Sequence, residues 1–216
     1  MIFLIILLSQ PFHVHLLRVS VYYETLCPDS YDFLRNQFCP TYEKIGSSLD
    51  VHFVPYGRAE HMFKDNRWTF ACQHGPEECW GNKIQACGIA KAKGENAVAQ
   101  FVCCVMNHYP QSATTYTLDN CVHLINTTKE NVMSCVSSLE GDNLLVAHGK
   151  ETHSLMPLNF IPTIVFNDKF DETVQASSLT NFYGTVQTHL NDKSGVNLNG
   201  GCFFIVWLLV VIQLCA

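Results

Sequence analysis

The order of the predicted elements indicates an α/β domain that carries a helical insertion. The chain opens with a strand, a helix and a second strand, continues through a block of helices, and closes with a strand, a turn and a final helix. Its 216 residues, 48% of them hydrophobic, suit one domain with a sizeable core. Eleven cysteines, spread through polar and turn-rich segments, are typical of disulfides in an oxidising compartment.

The first elements place a cysteine at the start of a helix. Residues 15–23 (HLLRVSVYY) are apolar and β-branched enough to form a strand, and they lead into Cys27 and Pro28. Proline is favourable at the first helical position, where its missing N–H has no helical partner in any case. Apolar residues then recur at helical spacing until Pro40, which is expected to end the helix. Residues 49–56 (LDVHFVPY) form the second predicted strand.

The middle of the chain is predicted to be mainly helical. Residues 57–75 are predicted to form a loop. Helices are predicted over residues 77–91, 95–109, 128–139 and 142–155. The last predicted elements are a strand at 162–166, a turn at 167–168, a return strand at 169–170 and a helix at 178–190.

Both ends of the chain are apolar. Residues 2–8 form a hydrophobic run that ends before Pro11, and a secretory signal over about residues 1–14 fits better than a buried strand, which Pro11 would interrupt. A polar linker, residues 192–201, precedes an apolar tail at 202–216, which is shorter than the ~20 residues needed to span a bilayer. This order is that of a lipid-anchor signal, and an interfacial or cryptic tail is the open alternative.

Charge and one short motif bear on partners. The net charge of −6 provides no basic surface, so nucleic acid is not expected as a partner. Asn126 begins the sequence Asn-Thr-Thr, which predicts N-glycosylation of a surface loop if the chain is secreted.

The most specific motif is CQHGPEECWGNKIQAC, at residues 72–87. It resembles the CQHG-x2-EC-x2-N-x4-C signature of the gamma-interferon-inducible lysosomal thiol reductase (GILT) family and meets every fixed position of that pattern. The segments YYETLCPDS (22–30), HFVPYG (52–57) and Ile-Pro-Thr (161–163) extend the resemblance to roughly residues 16–190. It implies a thioredoxin-like fold whose helical insertion, about residues 72–155, is stapled by disulfides.

The resemblance also implies an active site at Cys27. The family has a C-x-x-C motif at this position with a cis-proline beside it, and Pro162 is the corresponding proline. Here Ser30 stands where the second, resolving cysteine is missing. A helix N-terminus favours the reactive thiolate of Cys27, whereas Glu24 and Asp29 oppose it. Cys27 can therefore attack a disulfide, but release requires an outside thiol such as glutathione or cysteine, or another cysteine of the protein. No other cofactor is expected.

The remaining cysteines are expected to be structural. With the tail removed and Cys27 free, eight can form four disulfides: Cys39, Cys72, Cys79, Cys87, Cys103, Cys104, Cys121 and Cys135. Adjacent Cys103 and Cys104 are not expected to pair with each other, and eight cysteines allow roughly a hundred connectivities, so the pairing stays open. The motif lacks the close cysteine pair of structural zinc sites, and we assign no metal site. His74 is interpreted as a turn or packing residue.

Two functions follow from these residues. The first is a GILT-like thiol oxidoreductase that reduces or reshuffles disulfides of protein substrates, either secreted or lysosomal, or lipid-anchored at the cell surface. The second is a thioredoxin-fold binding protein that has lost turnover together with the resolving cysteine. Cys27 followed by Pro28 and the proline at 162 favour the first function, and Ser30 favours the second.

Overall fold

A three-stranded sheet forms the centre of the molecule in the computed structural model, which describes residues 16–94 and 96–195. The strands are β1 (Leu17–Tyr23), β2 (Leu49–Pro55) and β5 (Thr163–Phe166), in the order β2-β1-β5. β1 is parallel to β2 and antiparallel to β5. The parallel pair requires a crossover connection, which helices between β1 and β2 supply.

The crossover is helical from Pro28 to Ile45. It consists of α1 (Pro28–Phe33), a π-helical turn (Leu34–Phe38) and α2 (Cys39–Ile45). The prediction that Pro40 ends this helix is wrong. The N–H of Cys39 bonds to the carbonyl of Leu34, five residues back, so Pro40 enters where the regular bonding ladder is already interrupted.

A hairpin, β3 (Glu60–Lys64) and β4 (Arg67–Ala71), replaces the predicted loop at 57–75. Asp65 and Asn66 connect its strands with φ values of 52° and 63°, as a two-residue hairpin turn requires. Most of the side chains in this hairpin are exposed. The prediction failed because neither strand has the buried, alternating apolar face that identifies a strand from sequence.

Five helices lie between the hairpin and β5. They are α3 (Pro76–Lys91), α4 (Ala97–Asn107), α5 (Thr115–Cys121), α6 (Lys129–Val136) and α7 (Leu139–His153). Four of them occupy the positions of the predicted helices, and α5 was not predicted. The Thr128 hydroxyl caps α6 by accepting a hydrogen bond from the N–H of Asn131.

The chain closes with α8 (Glu172–Gly195), which is longer than the helix predicted at 178–190 and has one non-helical residue, Asn181. Asn167 and Asp168 form the predicted turn after β5, with φ values of 50° and 60°. The predicted return strand is reduced to a single bridge between Phe166 and Lys169.

Disulfides join the helices to one another and to the crossover. The pairs are Cys39–Cys103, Cys72–Cys79, Cys87–Cys135 and Cys104–Cys121. Adjacent Cys103 and Cys104 thus have different partners. Within the described residues, Cys27 is the one free cysteine. Such a set of disulfides is typical of proteins from an oxidising compartment.

Aromatic side chains fill the space between the crossover, the sheet and α8. Phe38 packs against Phe33, Phe53 and Phe182, with ring centroids 5.1–6.5 Å apart. All four rings are buried. This packing fixes α1 against the sheet and therefore fixes the position of Cys27 at its start.

In the part of the chain that the structure describes, no helix combines the length and the apolar character needed to cross a membrane. The predicted signal (1–14) and apolar tail (202–216) lie outside the described residues, as does most of the linker.

Candidate active site

Cys27 lies at the end of the sheet, as the N-cap of α1, with Pro28 at the first helical position. The antiparallel register pairs Tyr22 of β1 with Thr163 of β5, so the residues before β5 lie beside the loop that follows β1. The Cys27 thiol donates a hydrogen bond to the carbonyl of Ile161 across 3.8 Å. The Ile161–Pro162 peptide bond is cis. The sheet thus brings together two predicted site residues, Cys27 and Pro162, that are 135 positions apart.

Ser30 completes this group from the first turn of α1. It is fully buried, and its hydroxyl oxygen accepts a hydrogen bond from the N–H of Glu24 at 3.2 Å. The same hydroxyl faces the Cys27 sulfur and lowers the pKa of its thiol. Ser30 therefore holds the loop and the thiol together, but it has no sulfur with which to resolve a mixed disulfide.

The thiol of Cys27 is only 6% exposed. Burial raises its pKa above the ordinary value, and the charge of Glu24 adds to this effect, whereas hydrogen bonds from Ser30 and from the helix N-terminus lower the pKa. Burial is the larger influence, so most of the thiol is protonated at neutral pH. The low pKa that a helix N-terminus alone favours is not reached in this free state.

One face of α3 supports the loop that carries Cys27. Asn82 accepts hydrogen bonds from the N–H and the hydroxyl of Thr25, at 2.9 and 2.6 Å, and Gln85 donates to the same hydroxyl at 3.1 Å. Glu78 accepts from the N–H of Leu26 at 3.3 Å. These three residues of α3 are spaced four and three apart, which places them on one face of a helix.

The signature motif therefore acts as a support for the active-site loop as well as a source of disulfides. Gly81 of α3 lies so close to this loop that a Cβ atom there would be 2.7 Å from the Thr25 methyl group. Asn82 thus bonds the backbone of the loop from within a buried helix.

Two further residues of the site were missed from sequence, and a third was expected only as a charge that opposes the thiolate. Gln175 of α8 donates to the carbonyl of Pro162 and accepts from the N–H of Ile164, both at 2.8 Å, and so fixes the start of β5. Ser112 donates to the carbonyl of Thr25 at 2.8 Å. The third is Glu24, which is fully buried behind the loop. No local pattern marks these residues, because each contact joins distant parts of the chain.

Asn126 lies apart from this site. It is exposed and follows a short 3-10 helix, with a left-handed backbone conformation (φ 49°, ψ 45°). This position suits the surface location that the sequon predicts.

A cysteine at the N-terminus of a helix, facing the residue before a cis-proline, defines the class of thioredoxin-like thiol oxidoreductases. The fold agrees with this class: the structure of BdbD from Bacillus subtilis in its oxidised form superimposes with a TM-score of 0.55 at 13% identity, covering 82% of this chain and 86% of that one. The expected thioredoxin-like fold with a helical, disulfide-bonded insertion is confirmed.

Sequence comparison gives the family. The model for gamma interferon inducible lysosomal thiol reductase (GILT) matches residues 18–125. A GILT-like protein of Anopheles gambiae is 32% identical, over 76% of this chain and 73% of that protein, and GILT-like protein 1 of Drosophila melanogaster is 34% identical, over 78% and 72%. The chain belongs to the GILT family, as its signature motif predicts.

Proposed function

We propose that this chain reduces or reshuffles protein disulfides through Cys27 alone, with an external thiol as the reductant. The observation that carries the proposal is the position of Ser30, which is buried against the Cys27 sulfur where the family's second cysteine would stand. Every other cysteine of the described residues is in a disulfide, so this part of the chain offers no second free thiol to resolve the reaction.

The reaction proceeds in three exchanges. The Cys27 thiolate attacks one sulfur of a substrate disulfide, forms a mixed disulfide with it, and the other substrate sulfur leaves as a thiol after taking up a proton. A glutathione or cysteine thiolate then attacks the mixed disulfide and frees Cys27. A second small thiol reduces the substrate–glutathione disulfide that results. One substrate disulfide is reduced to two thiols while two small thiols are oxidised to one disulfide.

The surroundings of Cys27 support a protein substrate. Phe160 and Met156, close in sequence to Ile161 and Pro162, are exposed by 39% and 60%. Apolar side chains on this surface suit an unfolded or extended polypeptide better than a small polar disulfide. The disulfide-rich fold and the family support a place in the secretory pathway, either outside the cell or in the lysosome.

A second candidate function is a binding protein that retains the fold without turnover. The burial of Cys27, the raised pKa of its thiol and the loss of the second cysteine favour this alternative. The two candidates differ in one observable: only the enzyme forms a mixed disulfide that an external thiol then releases.

The experiment is to trap that intermediate. The full chain is incubated with a disulfide-linked peptide, quenched with acid, and mapped by mass spectrometry. Turnover is then measured against glutathione concentration. A mixed disulfide at Cys27, with turnover that depends on glutathione and is absent from Cys27→Ser, supports the enzyme. A wild-type chain that never reacts contradicts it and favours the binding protein.

A further inference from the structure

Three side chains, with no thiol among them, converge behind the active-site loop. Glu24 follows β1, His74 lies in the turn before α3, and Glu78 lies in the first turn of α3. One ligand atom from each lies within 4.8 Å of the other two. His74 Nδ1 is 2.6 Å from an oxygen of Glu78 and 3.5 Å from Oε2 of Glu24. Both carboxylate side chains are fully buried.

Glu24 directs an unbonded oxygen into this cluster. Its Oε1 accepts a hydrogen bond from the N–H of Arg58 at 2.7 Å. Its Oε2 is buried and accepts no hydrogen bond from any residue that the structure describes. A Cβ atom at Gly57 would be 2.1 Å from Cγ of Glu24, so the glycine makes the space that the buried carboxylate occupies. A buried polar atom without a partner is costly, which points to a ligand that the oxygen would bind.

The charges of the cluster point to a cation. The carboxylate of Glu78 accepts hydrogen bonds from the backbone N–H groups of Leu26 and His74. These N–H groups are dipoles and do not supply a full positive charge. The charge of Arg58 favours the ionised form of Glu24 from a distance, but its guanidinium donates to the carbonyls of residues 158 and 159 and not to either carboxylate. A protonated imidazole of His74 would provide one positive charge against two buried carboxylates. A divalent cation would balance both.

We propose that Glu24, His74 and Glu78 form a binding site for a divalent transition-metal ion, with Zn²⁺ the ion that fits best. One imidazole nitrogen and two carboxylate oxygens are ligands that zinc takes, whereas calcium and magnesium prefer oxygen alone. Zinc bonds of about 2.1 Å in a tetrahedron hold ligand atoms roughly 3.4 Å apart. The observed separations of 2.6 and 3.5 Å need only a small adjustment to reach this spacing.

The site is accessible and leaves one position open. The ring of His74 is 32% exposed, so an ion can enter past it from solvent. Three protein ligands leave a fourth tetrahedral position for water or another ligand. The only other cluster of this kind among the described residues comprises Cys104, His108 and Cys121, but its two cysteines are joined in a disulfide and offer no thiolate.

A bound ion would act on the thiol site through the loop. Glu24 and Glu78 join the end of β1 to α3, and Glu24 opposes the Cys27 thiolate. An ion at this place would neutralise that charge and fasten the loop to α3. The cluster also gives His74 and Glu78, two fixed positions of the signature, a role other than packing, and it differs from the cysteine zinc site that the motif spacing argues against.

The test is direct titration of the full chain, freed of metal with a chelator, by Zn²⁺ in a calorimeter at pH 7.5. We expect one bound ion per chain and a rise in melting temperature with added Zn²⁺. Glu24→Gln keeps the acceptor for the Arg58 N–H, and His74→Ala changes a partly exposed side chain. Each should weaken binding by more than about tenfold and remove the rise in melting temperature.

Two controls separate this site from others. His52→Ala removes a histidine that is paired with Glu151 on another part of the surface, and its zinc affinity should equal that of the wild type. Cys27→Ser should also bind as the wild type does. The proposal is wrong if the wild-type chain binds no zinc, if folded His74→Ala binds as tightly as wild type, or if Cys27→Ser loses the ion. Circular dichroism verifies that each variant is folded. If Glu24→Gln does not fold, the zinc affinity of His74→Ala alone decides the test.

Discussion

Ser30 is the residue on which the mechanism depends. Its hydroxyl is buried between the N–H of Glu24 and the sulfur of Cys27, so it occupies the place of a resolving thiol and performs a structural task there. A hydroxyl and a thiol differ little in size, but only the thiol can form and release a disulfide. One atom thus separates a self-resolving active site from one that depends on an external thiol.

We predict that Ser30→Cys releases the substrate from the mixed disulfide without added monothiol. The second thiol would attack the mixed disulfide within the molecule, at a high effective concentration, and the two active-site sulfurs would then form a disulfide that an external thiol must reduce before the next turnover. In a single turnover of the pre-reduced protein at low glutathione, release of the peptide thiol should become at least about tenfold faster. Ser30→Ala is the matched control and should show no such gain. Equal glutathione dependence in Ser30→Cys and wild type would contradict the prediction.

Glu24 should make the stability of the protein depend on pH. Burial raises its pKa to about 7 from an ordinary 4.5, so between these values the folded chain holds a proton that the unfolded chain has lost. The stabilisation is complete below pH 4.5 and is lost as pH rises to about 7. The free energy of unfolding should fall by about 3 kcal/mol from this group over that range.

Glu24→Gln removes this dependence. Urea unfolding with a chelator present, at several pH values between 4 and 8, measures the free energy for both proteins. The difference between wild type and variant should change by about 3 kcal/mol across the range, in favour of the variant at the higher pH. A constant difference would show that Glu24 ionises alike in the folded and unfolded chains.

At the scale of elements, α3 is the support of the active site. Its buried face bonds the loop after β1, its cysteines join it to the CQHG turn and to α6, and it lies against β2. The loop itself has few backbone partners in the sheet. Its conformation therefore depends on side chains from a helix about fifty residues further along the chain.

Asn82→Ala tests this support. It should destabilise the fold by about 2–3 kcal/mol, because the N–H and hydroxyl of Thr25 lose a buried acceptor. Thiol reactivity of Cys27 should change as well, since the loop that carries it is loosened. Chemical unfolding measures the first effect and alkylation rates the second. Asn107→Ala, on the exposed end of α4, is the control and should cost less than about 0.5 kcal/mol.

At the scale of the whole molecule, four disulfides fix the helical insertion around the thioredoxin-like core. They connect α3, α4, α5, α6 and the crossover, and they leave the catalytic region with a single thiol. Such links stabilise a fold mainly by restricting the unfolded chain. Which cysteines are paired and which one stays free therefore depends on how the helices of the insertion pack around the core.

Alkylation under denaturing, non-reducing conditions should modify Cys27 alone among residues 16–195. The reason is that the other cysteines of this range are paired, and unfolding exposes the buried thiol without breaking disulfides. Peptide mapping locates the label, and a reduced sample serves as the control in which every cysteine reacts. Label on Cys72 or Cys79 in the non-reduced sample would contradict the assigned disulfide of the CQHG turn.

We predict that the secreted protein lacks its first residues and carries a glycan at Asn126. The apolar run at 2–8 motivates the first expectation, and the exposed sequon motivates the second. Intact mass before and after glycosidase treatment measures both, with Thr128→Ala as the unglycosylated control. A chain that begins at Met1 and has no glycan would contradict a secretory origin.

The order of most helices and strands, the position of Cys27 before Pro28 and the missing second cysteine could be read from the sequence, and the family resemblance pointed to a cis-proline at Pro162. These features depend on local patterns and on a motif whose identities can be read directly. The sequence did not predict the hairpin at 60–71, whose exposed strands lack a buried face, or the passage of the helix through Pro40.

Only the tertiary structure decided what the motif residues do. Pairing of β1 with β5 brings the carbonyl of Ile161 to the Cys27 thiol, and α3 brings Glu78 to Glu24. The choice of disulfide partners and the raised pKa of the Cys27 thiol also depend on tertiary contacts. Burial and the distances between side chains far apart in sequence determine these properties, and neither is encoded in a local pattern.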